Sequence, residues 1–171
     1  DARTGNYRWK FQTMLNATLG YTTLGSNGQI VALGSYSWSG YHPFRIGKRV
    51  QLLAGAQIQL EGGALYNPSN SNNPVSAKLR TALAASGMAI YRFPVFKDEW
   101  TARYQLDIPI IGVMFAPEFG QSYYEISLGH TKGIVSCAYP INSPSWRHML
   151  SLDIPLHIKQ RSTTLRLSYI A

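Results

Sequence analysis

The stretch from Trp100 to Met114, WTARYQLDIPIIGVM, alternates between apolar and polar residues with a period of two. Trp100, Ala102, Tyr104, Leu106, Ile108 and Ile110 fall on one side, and Thr101, Arg103, Gln105 and Asp107 on the other. Successive side chains of an extended strand point to opposite faces, so this period specifies a strand and not a helix. The segment is also long. Strands of globular domains hold about 5–6 residues, whereas strands that cross an outer membrane need about 9–11. The same design recurs along most of the chain. It predicts an all-β fold: an antiparallel meander forming a transmembrane β-barrel of about 8–10 strands, apolar side toward lipid and polar side inward. An open sheet would leave backbone polar groups in hydrocarbon, so closure is expected.

The 171 residues suit a single barrel domain over 1–171. Charged residues make up 14% of the chain, well below the roughly 25% of an average soluble domain. The net charge is +8, from 16 Lys and Arg against 8 Asp and Glu. The basic residues are scattered, with no basic run and no aromatic–basic motif, which argues against nucleic acid as a partner. Outer-membrane lipid, lipopolysaccharide or an acidic protein suits this charge better. Cys137 is the sole cysteine, so no intramolecular disulfide can form, and it reads as an inert buried thiol. No apolar run approaches the roughly 18 residues of a transmembrane helix, and no signal peptide is visible.

In chain order, the first strand is expected from Tyr7 to Thr22, with Trp9 and Tyr21 at its ends and small or aliphatic residues between. Gly25–Gly28 turns the chain into a second strand over Gln29–Tyr41, which His42-Pro43 is expected to break before a loop from Phe44 to Lys48. A third strand spans Val50–Gly62, and Gly62-Gly63 suggests a bulge. The polar segment Tyr66–Pro74 cannot continue a ladder. A fourth strand runs over Val75–Phe93, with a helix over Val75–Ser86 as the alternative. Met88 and Ile90 violate its alternation, which calls for a bulge or a packed interior plug, with Ser86-Gly87 as the expected irregularity. Lys97–Glu99 reads as the turn into the organising strand, which ends at Ala116–Gly120. Tyr123–Leu128 reads as strand or structured loop, Lys132–Tyr139 as a short strand, Trp146–Lys159 as a long one, and Arg161-Ser162 as the turn into the last.

The inward face collects Lys10, Glu61, Lys78, Arg80, Arg92, Arg103, Asp107, Arg147, Asp153 and Arg166. A buried charge must be paired or heavily hydrogen-bonded, so this set is expected to form a network that replaces a hydrophobic core. An anion-conducting or anion-binding lumen is the functional competitor, although small barrels are usually filled. Asp107-Ile-Pro and Asp153-Ile-Pro recur within strands, with both prolines expected inward. His42, His130, His148 and His157 have no metal-binding spacing. Ser151, Asp153 and His157 share strand parity, the only hint of a hydrolase, in this case one acting on outer-membrane lipid. No nucleophile elbow, phosphate-binding loop or zinc signature occurs, and no catalytic residue, cofactor or metal is expected.

Four segments carry a resemblance. YNPSNSNNPVSAK at Tyr66–Lys78, GMAIYRF at Gly87–Phe93, GVMFAPEFGQSYYEI at Gly112–Ile126 and NSPSWRHMLSLDIPL at Asn142–Leu156 resemble the domain-of-unknown-function 3316 family of the Bacteroidetes. The resemblance implies a barrel-like protein in the outer membrane of a Gram-negative bacterium, no established activity, and family segments before Asp1 and after Ala171. A barrel without obvious chemistry suggests an accessory or structural subunit of a larger envelope complex; a small anion or solute porin and a lipid hydrolase are the alternatives. Asn67, Asn70, Asn72 and Asn73, with Gln121, Tyr123, Tyr124 and Glu125, form the candidate partner or ligand surface.

Overall fold

The computed structural model describes residues 9–24, 27–69, 74–115, 126–129, 133–141, 144–158 and 161–171. The fold is all-β, and the described residues form eight strands: β1 (Lys10–Leu24), β2 (Asn27–Ile46), β3 (Val50–Tyr66), β4 (Val75–Val95), β5 (Asp98–Phe115), β6 (Val135–Ala138), β7 (Arg147–Ile158) and β8 (Arg161–Ile170). All pair antiparallel in the order β1-β2-β3-β4-β5-β7-β8, and β6 pairs the C-terminal end of β5. The sheet curls through 303° into an open barrel-like shell. Among the described residues no ladder joins β1 to β8. One end carries the short turns Gly47–Arg49 and Phe96–Lys97. The other carries the long connections from β3 to β4 and from β5 to β7.

Alternation sets which side of the shell each residue faces. Leu15, Leu19, Ile58, Leu60, Leu83, Ile108, Leu150 and Leu167 point outward and are exposed, whereas Ser37, Ser39, Gln57, Gln59, Ser86, Gln105, Asp107, Ser151 and Asp153 are buried inside. Outward aromatic rings gather at the short-turn rim. Trp9 packs edge-on against His42, Phe11 stacks on Trp38, Tyr91 stacks on Phe93, and Phe93 leans on Trp100. At the opposite rim stand Tyr21 and Tyr66.

Prolines that looked like strand breakers are absorbed. β2 runs straight through His42-Pro43, with Pro43 opposite Leu53. The described β1 ladder stops at Lys10–Tyr41, so among the described residues Pro43 has no second neighbour to which it owes an N–H. The same holds for Pro94, beyond the last β3 pair, and for Pro155, beyond the last β5 pair. Pro109 falls in the gap along β5 between the stretch that pairs β7 and the stretch that pairs β6. Among the described residues each of these four prolines has a partner strand on one side only.

Several expected boundaries move for related reasons. The Phe44–Lys48 loop shrinks to the turn at Gly47–Arg49, and the hairpin tip is Phe96-Lys97, not Lys97–Glu99. Arg161 and Ser162 lie inside β8, paired with Ile158 and His157. The helix over Val75–Ser86 is overturned, since that segment is strand throughout. There is no break at Ser86-Gly87; the bulge is in β5, where Ile110 is the extra residue between the pairs Ala84–Pro109 and Leu83–Ile111. The bulge turns Ile111 outward and Gly112 inward. Cys137 is exposed on β6 and not buried, because β6 has its odd-numbered residues on the outer side. Tyr7, Ala116–Glu125, His130 and Lys159 lie outside the described residues.

Gly62-Gly63 likewise makes no bulge; β3 continues to Tyr66 in unbroken register. The inward glycines of β3 answer a different need, the tight coiling of neighbouring strands. A Cβ on Gly55 would lie 1.8 Å from the carbonyl oxygen of Gly40, and one on Gly63 would lie 2.1 Å from that of Ala32. Both contacts are with backbone, which cannot swing aside. Gly55→Ala is therefore expected to cost about 1–3 kcal/mol of stability through overpacking. Gly87→Ala, whose Cβ would meet nothing nearer than 4.0 Å, is expected to be neutral or mildly stabilising. Urea midpoints of the refolded variants check the pair.

Candidate functional site: the filled interior

The interior is layered along the barrel direction. Its middle layer is polar and centres on Asp107, which has no exposed surface. Arg147 from β7 donates from Nε at 3.0 Å and from Nη2 at 2.8 Å to one carboxylate oxygen. Gln105 Nε2 reaches both oxygens, at 2.9 and 3.0 Å, and Ser86 of β4 donates a short hydrogen bond to the other oxygen. The hydroxyl of Tyr41 meets Ser86 Oγ at 2.8 Å. Arg147 Nη2 also donates to Gln57 Oε1 at 2.7 Å, and Gln57 Nε2 donates to Ser39 Oγ at 2.7 Å. Five strands, β2, β3, β4, β5 and β7, are tied together through one ion pair. A charge removed from water is tolerable only when its lone pairs and protons are this fully used.

Toward the short-turn end the polar layer gives way to an apolar plug of Tyr41, Leu53, Met88 and Ile90. Met88 and Ile90 stay on the inward side of a regular strand, so they break the chemical alternation and not the geometric one. Beyond the plug lies a cationic mouth. Arg166 grips Asp153 with Nε to Oδ1 at 2.6 Å and Nη2 to Oδ2 at 3.0 Å, while Arg103 Nη2 reaches Oδ2 at 2.7 Å. Arg92 follows Ile90 on the inward side of β4, opposite Thr101. Lys10 donates to Gln51 Oε1 at 2.9 Å. At the long-loop end Arg80 pairs with the half-exposed Glu61 at 3.5 Å and donates to Ser145 Oγ at 3.0 Å, and Lys78 lies exposed two positions away.

The ten charged residues named from the sequence thus separate into three groups, not one network. Asp107 with Arg147 holds the centre, Lys10, Arg92, Arg103, Asp153 and Arg166 line the short-turn mouth, and Glu61, Lys78 and Arg80 sit at the long-loop end. Tyr41 and Ser86 belong to the centre but were not singled out by charge or motif. Their parity gave the available signal: Tyr41 continues the series Ser35, Ser37, Ser39, and Ser86 continues Ala82, Ala84. Asn67 accepts from the Ser69 amide at 3.1 Å and its own amide donates to Pro74 at 2.7 Å, so it shapes the neck of the β3–β4 connection. Asn70, Asn72, Asn73, Gln121, Tyr123, Tyr124 and Glu125 lie outside the described residues.

Ser151 and His157 are not brought together. They are six positions apart on one strand, about 20 Å at roughly 3.3 Å per residue. Ser151 is buried, and His157 is exposed at the rim beside Asp98, 3.5 Å away.

Fold and interior together define an antiparallel, barrel-like β-shell with a polar centre and an apolar exterior. The model of a family described as a protein of unknown function, DUF3316, matches residues 1–171, and the chain belongs to that family. No curated protein and no solved structure matches it.

Loss of one partner from the central pair strands a buried charge. Arg147→Met is expected to cost about 3–5 kcal/mol, with much of the loss recovered when Asp107→Asn is added. Glu61→Gln, at a more open and longer contact, is expected to cost less than about 1 kcal/mol. Equilibrium unfolding of the two single variants and the double variant tests the contrast.

Proposed function

We propose that this protein is a β-barrel of the Gram-negative outer membrane with a filled interior, serving as a non-enzymatic accessory or structural subunit of a larger envelope assembly. The observation that carries this reading is the inverted distribution of side chains. A water-soluble barrel would gather its aliphatic residues inside, yet here Leu15 and Leu19 are 80% and 84% exposed while Asp107 and Gln105 are at 0%. Such a surface is costly in water and suits contact with lipid. Strand length agrees: the 17 residues of β3 extend about 55 Å, enough to cross a roughly 25 Å apolar band at a 40° tilt. Aromatic rings at both rims suit the two membrane interfaces.

The plug and the Asp107 network favour a structural interior over a porin, because side chains from five strands fill the middle layer. The separation of Ser151 from His157 weighs against the lipid hydrolase. Lipid or lipopolysaccharide would be the surrounding partner, a larger outer-membrane complex the protein partner, and nucleic acid none.

Ile58→Arg tests the membrane reading. Ile58 lies at mid-strand on the outer side, so the substitution is expected to cost about 2–4 kcal/mol in lipid vesicles. A change within about 0.5 kcal/mol, ordinary for a water-exposed site, would count against lipid contact. The assembly role is tested by gentle detergent extraction, size analysis and mass spectrometry of co-purifying proteins. A stable complex is expected; a monomer that conducts ions in planar bilayers would return the reading to a porin.

A further inference from the structure

We propose that the cationic mouth at the short-turn end is a binding site for a phosphoryl oxyanion, presented either free or as the headgroup of a phospholipid. Three guanidinium groups, from Arg92, Arg103 and Arg166, share this mouth with one carboxylate, Asp153, already engaged by two of them. Arg92 and Arg103 lie on the inward side of paired strands one step apart in register, and Arg103 and Arg166 share one oxygen of Asp153. Among the described residues Arg92 makes no ion pair, and the nearby rim carboxylate Glu99 makes none either. Lys10 and the three arginines against Asp153 and Glu99 leave two positive charges in excess at this mouth, where Arg103 is partly desolvated.

A second observation is independent of the charge count. Arg103 Nε is buried and has no hydrogen-bond partner, although its neighbour Nη2 is bonded to Asp153. An orphaned N–H of this kind costs free energy unless an acceptor arrives. The carboxylate that could have satisfied it is held by the fork of Arg166 on its other side. Guanidinium groups present planar, multiply donating edges suited to tetrahedral oxyanions, and a phosphoryl group has enough oxygens to meet Arg92, Arg103 and Arg166 together. Ile90, Met88 and Leu53 are buried behind the mouth, so a bound anion would stop there and not pass through.

The site stands on the mouth's own geometry and not on membrane insertion. Titration calorimetry of inorganic phosphate into the protein in non-ionic detergent is the test. Saturable binding is expected, weakened at least tenfold by Arg92→Gln, a variant that breaks no ion pair among the described residues. Lys78→Gln removes one positive charge at the opposite end and is expected to change the affinity less than twofold. Short-chain phosphatidylglycerol in mixed micelles then separates the sources: competition assigns a lipid headgroup, and its absence with phosphate binding intact assigns a free oxyanion. Failure of both phosphate and phosphatidylglycerol to bind, or equal weakening by the Lys78 and Arg92 substitutions, overturns the proposal. Phosphate binding through Arg92 by a protein that tolerates Ile58→Arg in vesicles would keep the site and reject the membrane reading.

Discussion

Asp107 carries its charge where no water reaches it, and the shell is arranged around satisfying that one carboxylate. Arg147, Gln105 and Ser86 approach from three strands, and Arg147 passes the connection on to Gln57 and Ser39 across the lumen. These groups are far apart in sequence; Arg147 and Gln57 are separated by 90 residues. They can meet only if the sheet curls enough to bring β7 opposite β3. The bond from Arg147 to Gln57 and the curl therefore require each other. A flat sheet would leave Arg147 and Ser86 on Asp107, since both oppose it in register, but would take the Gln57 acceptor away from Arg147.

The curl has identifiable local causes. Inward glycines allow backbones to approach where any Cβ would collide with a carbonyl. The bulge at Ile110 adds a residue to β5 just where its neighbour changes from β7 to β6. The strand prolines occupy positions with no second ladder among the described residues, so they cost no ladder bond there. These devices shape the strand ends and the single split strand, while the middles of β2, β3 and β4 remain in continuous register.

Layering of the interior separates tasks that composition alone mixes together. The central pair is enclosed and nearly fully bonded, which suits it to holding strands in place. The long-loop pair is open and loose. The short-turn mouth has the larger cationic excess, and it is walled off from the centre by side chains as apolar as Ile90 and Met88. Membership of the DUF3316 family brings no assigned chemistry, so the roles of these layers rest on their geometry.

The two-residue period determined most of the fold by itself. Extended backbone forces alternate side chains to opposite faces, so Trp100–Asp107 could be divided into outer and inner sets without any structure. The same parity separated Leu152 and Leu156 from Ser151 and Asp153. Tertiary structure decided what local chemistry could not. Whether Pro43 or Pro109 breaks a strand depends on which neighbour is present beside it, and that is a property of the ladder, not of the proline. Whether Met88 and Ile90 signal a bulge or a plug depends on what stands across the lumen, which is Leu53 and Tyr41. The sequence listed the inward charges as one set because parity records a face and not a height. Only the register and curl of the sheet place Asp107 beside Arg147 in the centre and Asp153 between Arg103 and Arg166 at the mouth, since depth within the shell is fixed by strand pairing between residues distant in the chain.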